Sequence, residues 1–137
     1  MRFPSAILCL TALLPVLVAA WDHHSNYTSQ CKNVSLDNGV LKASCLNNSN
    51  SDTGEVNGNT YIESQFDIEL CVGINYLTAK LIFSQLGKYT EDCGPCQLQG
   101  DGGLNCICWS DGLVVNSTLD LNKGVANVNG SLACQWY

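Results

Sequence analysis

The chain has 137 residues, with 6 basic side chains against 12 acidic ones and hydrophobic residues making up 46%. Its net charge of −6 leaves no basic footprint for nucleic acid or an anionic lipid surface, both of which are bound largely by neutralising phosphate. The length suits one small domain with a modest core.

The first element is an apolar run from Ala6 to Ala20, preceded by Arg2 and broken by Pro15. Val18 and Ala20 put small residues where signal peptidase needs them. Residues 1–20 therefore read as a cleaved secretory signal, too short for a span of about 20 residues. The C-terminal SLACQWY carries no lipid-anchor pattern. The expectation is a secreted, extracellular protein with no membrane partner, its mature domain running from 21 to 137. Cleavage after Ala20 would leave Trp21-Asp22-His23 as a free start. Its amine, two amide nitrogens and an imidazole in third position could close the square-planar site that Cu(II) and Ni(II) prefer. A solvated tail is the competing reading, and no cofactor or metal is expected of the domain.

Next comes SNYTSQC (25–31), then the polar turn Asp37-Asn38-Gly39 and the strand-like VLKASC (40–45). Together they predict a hairpin. The stretch from Leu46 to Ile62, rich in Asn, Ser and Gly, reads as a surface loop. FDIELCV (66–72) predicts one helical turn, followed by a second hairpin. The pattern then restarts with GKYTEDC (87–93), a Gly-rich turn at 100–103 and LNCICW (104–109). Leu104, Cys106 and Cys108 alternate with Asn105, Ile107 and Trp109, the period of a strand. LDLNKGV (119–125) repeats the helical turn, and Asn127-Val128-Asn129-Gly130 supplies a final tight turn. No segment carries a 3.6-residue period long enough for a substantial helix.

The chain is thus a tandem repeat. Tyr27, Thr28 and Cys31 recur at Tyr89, Thr90 and Cys93, and Cys45 recurs at Cys108. The later part aligns 66–72 with 119–125 and, continuing that register, Phe83 with Trp136. Repeat one covers 25–83 with about ten extra residues in its loop, and repeat two covers 87–137.

Cys9 leaves with the signal, and eight cysteines remain. An even number in a small secreted domain implies disulfides. Cys93-Gly94-Pro95-Cys96 has the sequence of a thioredoxin-type redox centre, but such a dithiol needs a helix start after a strand. Here glycine breaks and strand alternation follow, and Cys31, the counterpart of Cys93, has no such motif. A zinc site is the other reading of these spacings. The separations of 14 and 15 residues instead predict Cys31–Cys45 and Cys93–Cys108. Cys96 and Cys106 fall close across the second hairpin, and Cys71 with Cys134 follows by elimination. Cys93 and Cys96 differ in parity, so both can bond to the neighbouring strand only if Pro95 breaks the alternation. Five sequons, at Asn26, Asn33, Asn47, Asn116 and Asn129, predict surface glycans.

This pattern resembles the cyanovirin-N homology (CVNH) family of lectins, as a secreted, fungal member. The resemblance rests on an aromatic four residues before the first cysteine of each copy, the two cysteine spacings, and LDLNKGVANVNGSL at 119–132. It covers 25–137 and implies an all-β fold of two pseudo-symmetric, intertwined repeats, each a three-stranded sheet plus a β-hairpin. Each half would pair the sheet of one copy with the closing hairpin of the other. The departures are the long insert, four extra cysteines and a first closing turn, GINYLT (73–78), that lacks the Asn-Gly of the second.

The resemblance implies a site for mannose-type oligosaccharides in each half. Half A would use Asn26, Ser29, Gln30, Asn47, Asn48, Asn127, Val128 and Asn129. Half B would use Lys88, Glu91, Asp92, Trp109, Ser110 and Asp111, with Ile74, Asn75 and Tyr76 from the degenerate turn and Trp109 as a stacking face. Partners would be oligosaccharides or glycoproteins, with the chain a monomer or a domain-swapped dimer. A secreted structural or host-interaction protein that kept the fold and lost sugar binding is the alternative. An enzyme is not expected. The only histidines are His23 and His24, so the domain body lacks a Ser-His-Asp or Cys-His set. A two-carboxylate glycosidase would leave no trace visible at this level.

Overall fold

The structure is a computed structural model that describes residues 26–47 and 60–135. Residues 1–25, on which the expected signal and the Trp21-Asp22-His23 motif fall, lie outside the described residues, as do Asn48, most of the long insert and Trp136. Strands β1 (Cys31–Asp37), β2 (Val40–Asn47) and β3 (Thr60–Asp67) form one antiparallel sheet. β4 (Val72–Asn75) and β5 (Lys80–Phe83) form a hairpin. The second copy repeats both units. Its sheet is β6 (Cys93–Leu98), β7 (Gly103–Ser110) and β8 (Leu113–Asp120), and its hairpin is β9 (Val125–Val128) and β10 (Ser131–Cys134).

Local chemistry sets the turns. Asn38-Gly39 and Asn129-Gly130 each join two strands with positive φ at both residues, the hairpin conformation for which Asn-Gly is the preferred pair. The anticipated helical turns are 3-10 turns at Ile68–Leu70 and Leu121–Lys123. Asp67 and Asp120 cap them by accepting from the backbone N–H of Glu69 at 3.0 Å and of Asn122 at 3.1 Å. Two further helical turns precede the first cysteine of each copy: α1 (Tyr27–Gln30) and a 3-10 turn at Tyr89–Glu91.

The core is built of repeat-related pairs. Tyr27 and Tyr89, Leu41 and Leu104, Cys45 and Cys108, Ile68 and Leu121, and Val72 and Val125 are all buried. Burial of each aliphatic member contributes about 1.5–3 kcal/mol. The copies are interlocked as expected. Leu132 N–H of β10 donates to Ser64 Oγ of β3, and Leu81 N–H of β5 donates to Ser117 Oγ of β8, both at 2.9 Å. Each sheet is therefore closed by the hairpin of the other copy.

All eight cysteines of the domain body are bridged: Cys31–Cys45, Cys93–Cys108, Cys96–Cys106 and Cys71–Cys134. The parity question is answered by a bulge. The β6–β7 register steps from Cys93↔Cys108 to Cys96↔Cys106, three residues against two, which returns Cys96 to the inner side. β1 carries the same irregularity between Lys32 and Ser35, so the bulge belongs to the repeat rather than to Pro95 alone. Under this alignment Val34 and Ala43 occupy in copy one the places of Cys96 and Cys106.

The register of the closing hairpins differs from expectation. β4–β5 turns over four residues, from Asn75↔Lys80, whereas β9–β10 turns over two, from Val128↔Ser131. Phe83 therefore corresponds to Cys134, not to Trp136. This explains the fourth bridge. In one half the Phe83 ring lies against Gly124, where an added Cβ would strike it. In the other half the corresponding residues are Cys134 and Cys71, joined covalently.

Candidate functional site

Half A is assembled from α1, the end of β2 and the β9–β10 turn. Asn127 holds the three together. Its Nδ2 donates to Gln30 Oε1 at 3.1 Å and to the Leu46 carbonyl at 2.7 Å, and its Oδ1 accepts from Gly130 N–H at 2.8 Å. Both amide protons are thereby engaged, so Asn127 positions the turn and Gln30 rather than reaching outward. Asn129 and Val128 are exposed at the tip, with Asn129 at φ 50°. Asn26 is exposed at the start of α1 and its backbone N–H donates to the Val125 carbonyl at 3.4 Å. Ser29 Oγ donates to the Asn26 carbonyl at 2.8 Å. Asn47 ends β2, half-buried and paired in the ladder with Thr60. The result is a neutral polar rim of Asn26, Ser29, Gln30, Asn47 and Asn129.

Half B is built differently. Ile74, the counterpart of Asn127, is apolar and buried. The turn is fastened instead by Ser110 Oγ, which donates to the Tyr76 carbonyl at 2.7 Å. Asn75 Oδ1 accepts from Leu77 N–H at 2.9 Å, and Tyr76 projects 61% exposed. Lys88 and Glu91 pair at 3.5 Å, both well exposed, an ion pair of little energetic consequence. Asp92 offers its backbone carbonyl to Trp109 N–H at 2.9 Å, and Asp111 is exposed in the β7–β8 turn. The end is therefore acidic where half A is neutral. Strand alternation sends Trp109 to the opposite face of β7 from Ser110. There, 45% exposed, it shares the outer face with Ile107 and, across the ladder, Val114. The structure thus groups Ser110, Asn75 and Tyr76, and sets Trp109 on a separate apolar strip.

Asn122 was not singled out in the sequence, and it ties α1 to the second repeat. Its Oδ1 accepts from Thr28 N–H at 3.2 Å and Thr28 Oγ1 at 2.8 Å, while Nδ2 donates to the Asp101 carbonyl at 2.8 Å. No feature of its sequence neighbourhood marks this tie to Thr28. Beneath each end lies a buried tyrosine. Burial first, then Asp120 and Asp101, pushes the Tyr27 phenol up to about 12. Burial first, then Glu69 and Asp67, does the same for Tyr89. Both remain neutral hydrogen-bonding groups at ordinary pH. Of the sequons, Asn33 sits at the β1 bulge with φ 54°, and Asn116 Oδ1 accepts from Asn105 Nδ2 at 2.8 Å. Among the described residues no cluster of His, Cys, Asp and Glu could hold a metal ion.

A sequence profile described as the CVNH domain matches residues 27–133. The fold is similar to a variant of MoCVNH3 (Mo0v) solved in complex with (N-GlcNAc)4, at 12% identity and a TM-score of 0.69, covering 83% of this chain and 99% of that one. It is similar to the CVNH protein of Gibberella zeae at 20% identity and a TM-score of 0.62, covering 80% and 97%. The MoCVNH-LysM module of the rice blast fungus Magnaporthe oryzae aligns at 13% identity and a TM-score of 0.60, covering 82% and 99%. Among curated protein sequences none matches the chain.

Proposed function

The chain belongs to the CVNH family, and from that premise we propose that it is a secreted carbohydrate-binding protein that takes mannose-containing oligosaccharides at half A. The observation that carries this reading is the Asn127 tether. It spends one side chain to hold the β9–β10 turn against α1 and β2, which leaves Asn26, Ser29, Gln30 and Asn129 as a shallow rim of neutral donors and acceptors. Such a rim suits hydroxyl-rich, uncharged ligands, whose hydrogen bonds need fixed partners more than apolar enclosure. The reading assigns binding rather than catalysis. The solved relative that carries (N-GlcNAc)4 makes N-acetylglucosamine oligomers the comparison ligand.

A glycan array probed with the secreted protein, before and after enzymatic removal of N-glycans, tests the reading. Saturable binding to mannose-rich structures by the deglycosylated protein is expected, with Asn129→Ala weakening it. The contrast between the two preparations also measures how far sugars on Asn26, Asn47 and Asn129 cover the rim. Absence of saturable binding by the deglycosylated protein would leave the alternative, a fold kept for structural or host-interaction roles.

A further inference from the structure

Away from both ends, the two sheets face each other along β1 and β6, each the outer strand of its sheet. Two hollows lie between them. One, of about 640 Å³, is lined by Tyr27, Thr28, Leu36, Gln97, Leu98 and Gln99 among others. The second, of about 390 Å³, is lined by Leu36, Asn38, Tyr89 and Thr90. The internal repeat relates them: Thr28 answers to Thr90, Tyr27 to Tyr89, and Leu98 to Leu36. Both touch Leu36 and Cys96, so they meet across the pseudo-two-fold.

We propose that this central groove is a ligand site of its own, built to take a neutral oligosaccharide across the junction of the repeats. None of the residues lining either hollow is charged, although the chain carries a net charge of −6. Ser35, Asn38, Thr90, Gln97 and Gln99 are exposed, and their side chains make no hydrogen bond to the described residues. Tyr89 is 1% exposed and lines the second hollow. The hydroxyl of its counterpart Tyr27 donates to the Gly102 carbonyl at 3.5 Å. Leu36 and Leu98 give the apolar surface on which the C–H face of a sugar ring rests. Concave apolar surface with a few convergent polar groups is the usual make-up of a small-ligand site.

An extended peptide is the competing occupant, since free strand edges invite strand addition. Both edges work against it. Each is interrupted by a bulge, and β6 carries Pro95, which lacks the N–H that a ladder requires. The groove does not depend on the end sites. It is tested on the ¹⁵N-labelled secreted protein, titrated separately with mannotriose, with the tetramer of N-acetylglucosamine and with an alanine-serine hexapeptide. Amide shifts at Ser35, Leu36, Thr90, Gln97 and Gln99 are expected with at least one sugar. The double variant Gln97→Ala/Gln99→Ala, at two exposed positions, should weaken that response about tenfold or more while shifts at Asn129 and Tyr76 keep their midpoint. Groove shifts with neither sugar, or with the hexapeptide alone, would overturn the proposal. Loss of shifts at Asn129 with groove shifts retained would overturn the half-A reading instead.

Discussion

Removing the Cys71–Cys134 bridge separates the contribution of chain topology from that of packing. The bridge spans 63 residues. In the oxidised chain Cys93–Cys108 cuts across that loop and shortens it to about 50 residues, for which loop-closure entropy gives about 4 kcal/mol. Cys96–Cys106 spans 10 residues inside the 15-residue loop already closed by Cys93–Cys108, so its added constraint is about 1–2 kcal/mol. The first copy supplies a matched replacement for each pair. Cys96→Val/Cys106→Ala installs the residues found at Val34 and Ala43. Cys71→Gly/Cys134→Phe installs the arrangement of Gly124 and Phe83. With packing so preserved, urea denaturation of the two oxidised double variants should place Cys71→Gly/Cys134→Phe about 2 kcal/mol or more below Cys96→Val/Cys106→Ala. The m-value should also rise most for the former, because its unfolded chain expands furthest. Equal losses, or a larger loss for the Cys96/Cys106 variant, would refute the topological account.

Two further outcomes follow from the ends of the molecule. Asn127→Ala removes three hydrogen bonds and should cost about 2–3 kcal/mol by denaturation and abolish oligosaccharide binding at half A. Unchanged stability would show that the turn holds itself. Tyr27 and Tyr89 should ionise near 12, whereas the unfolded chain ionises near 10. Because the folded pKa is the higher one, their contribution to stability is complete below pH 10 and is lost as pH rises toward 12. Absorbance titration at alkaline pH should show these two phenols ionising late and together with unfolding. Reversible ionisation of all five tyrosines near 10 would contradict their burial.

Much of this architecture was legible because its signals are local. Asn38-Gly39 and Asn129-Gly130 announce hairpins through their tolerance of positive φ, and Asp67 and Asp120 announce helical turns through capping. The cysteine spacings of 14 and 15 transmit the hairpin length directly. What was hidden depends on register. The bulge at Cys93–Cys96 has no sequence marker shared with its counterpart at Lys32–Ser35, so the side on which Cys96 emerges could not be read. The four-residue turn of the first closing hairpin carries neither Asn-Gly nor Asp-Gly, and its extra length shifted Phe83 two places from its true counterpart. Trp109 illustrates the same point at half B. Grouping by sequence position put it beside Ser110, yet adjacent residues of a strand face opposite ways. Asn122 joins segments far apart in the chain, and nothing in its neighbourhood speaks of Thr28.

The exchange of hairpins between the copies also fixes the order in which the protein can be completed during synthesis. The first sheet is closed by β10, whose Leu132 bonds to Ser64, 68 residues earlier. Copy one is therefore finished only when the last residues of copy two have left the ribosome. A chain stopped after β8 lacks the hairpin that closes its first sheet and lacks Cys134, the partner of Cys71. The repeat, which looks like two modules in sequence, is a single cooperative unit whose N-terminal half waits for its C-terminus.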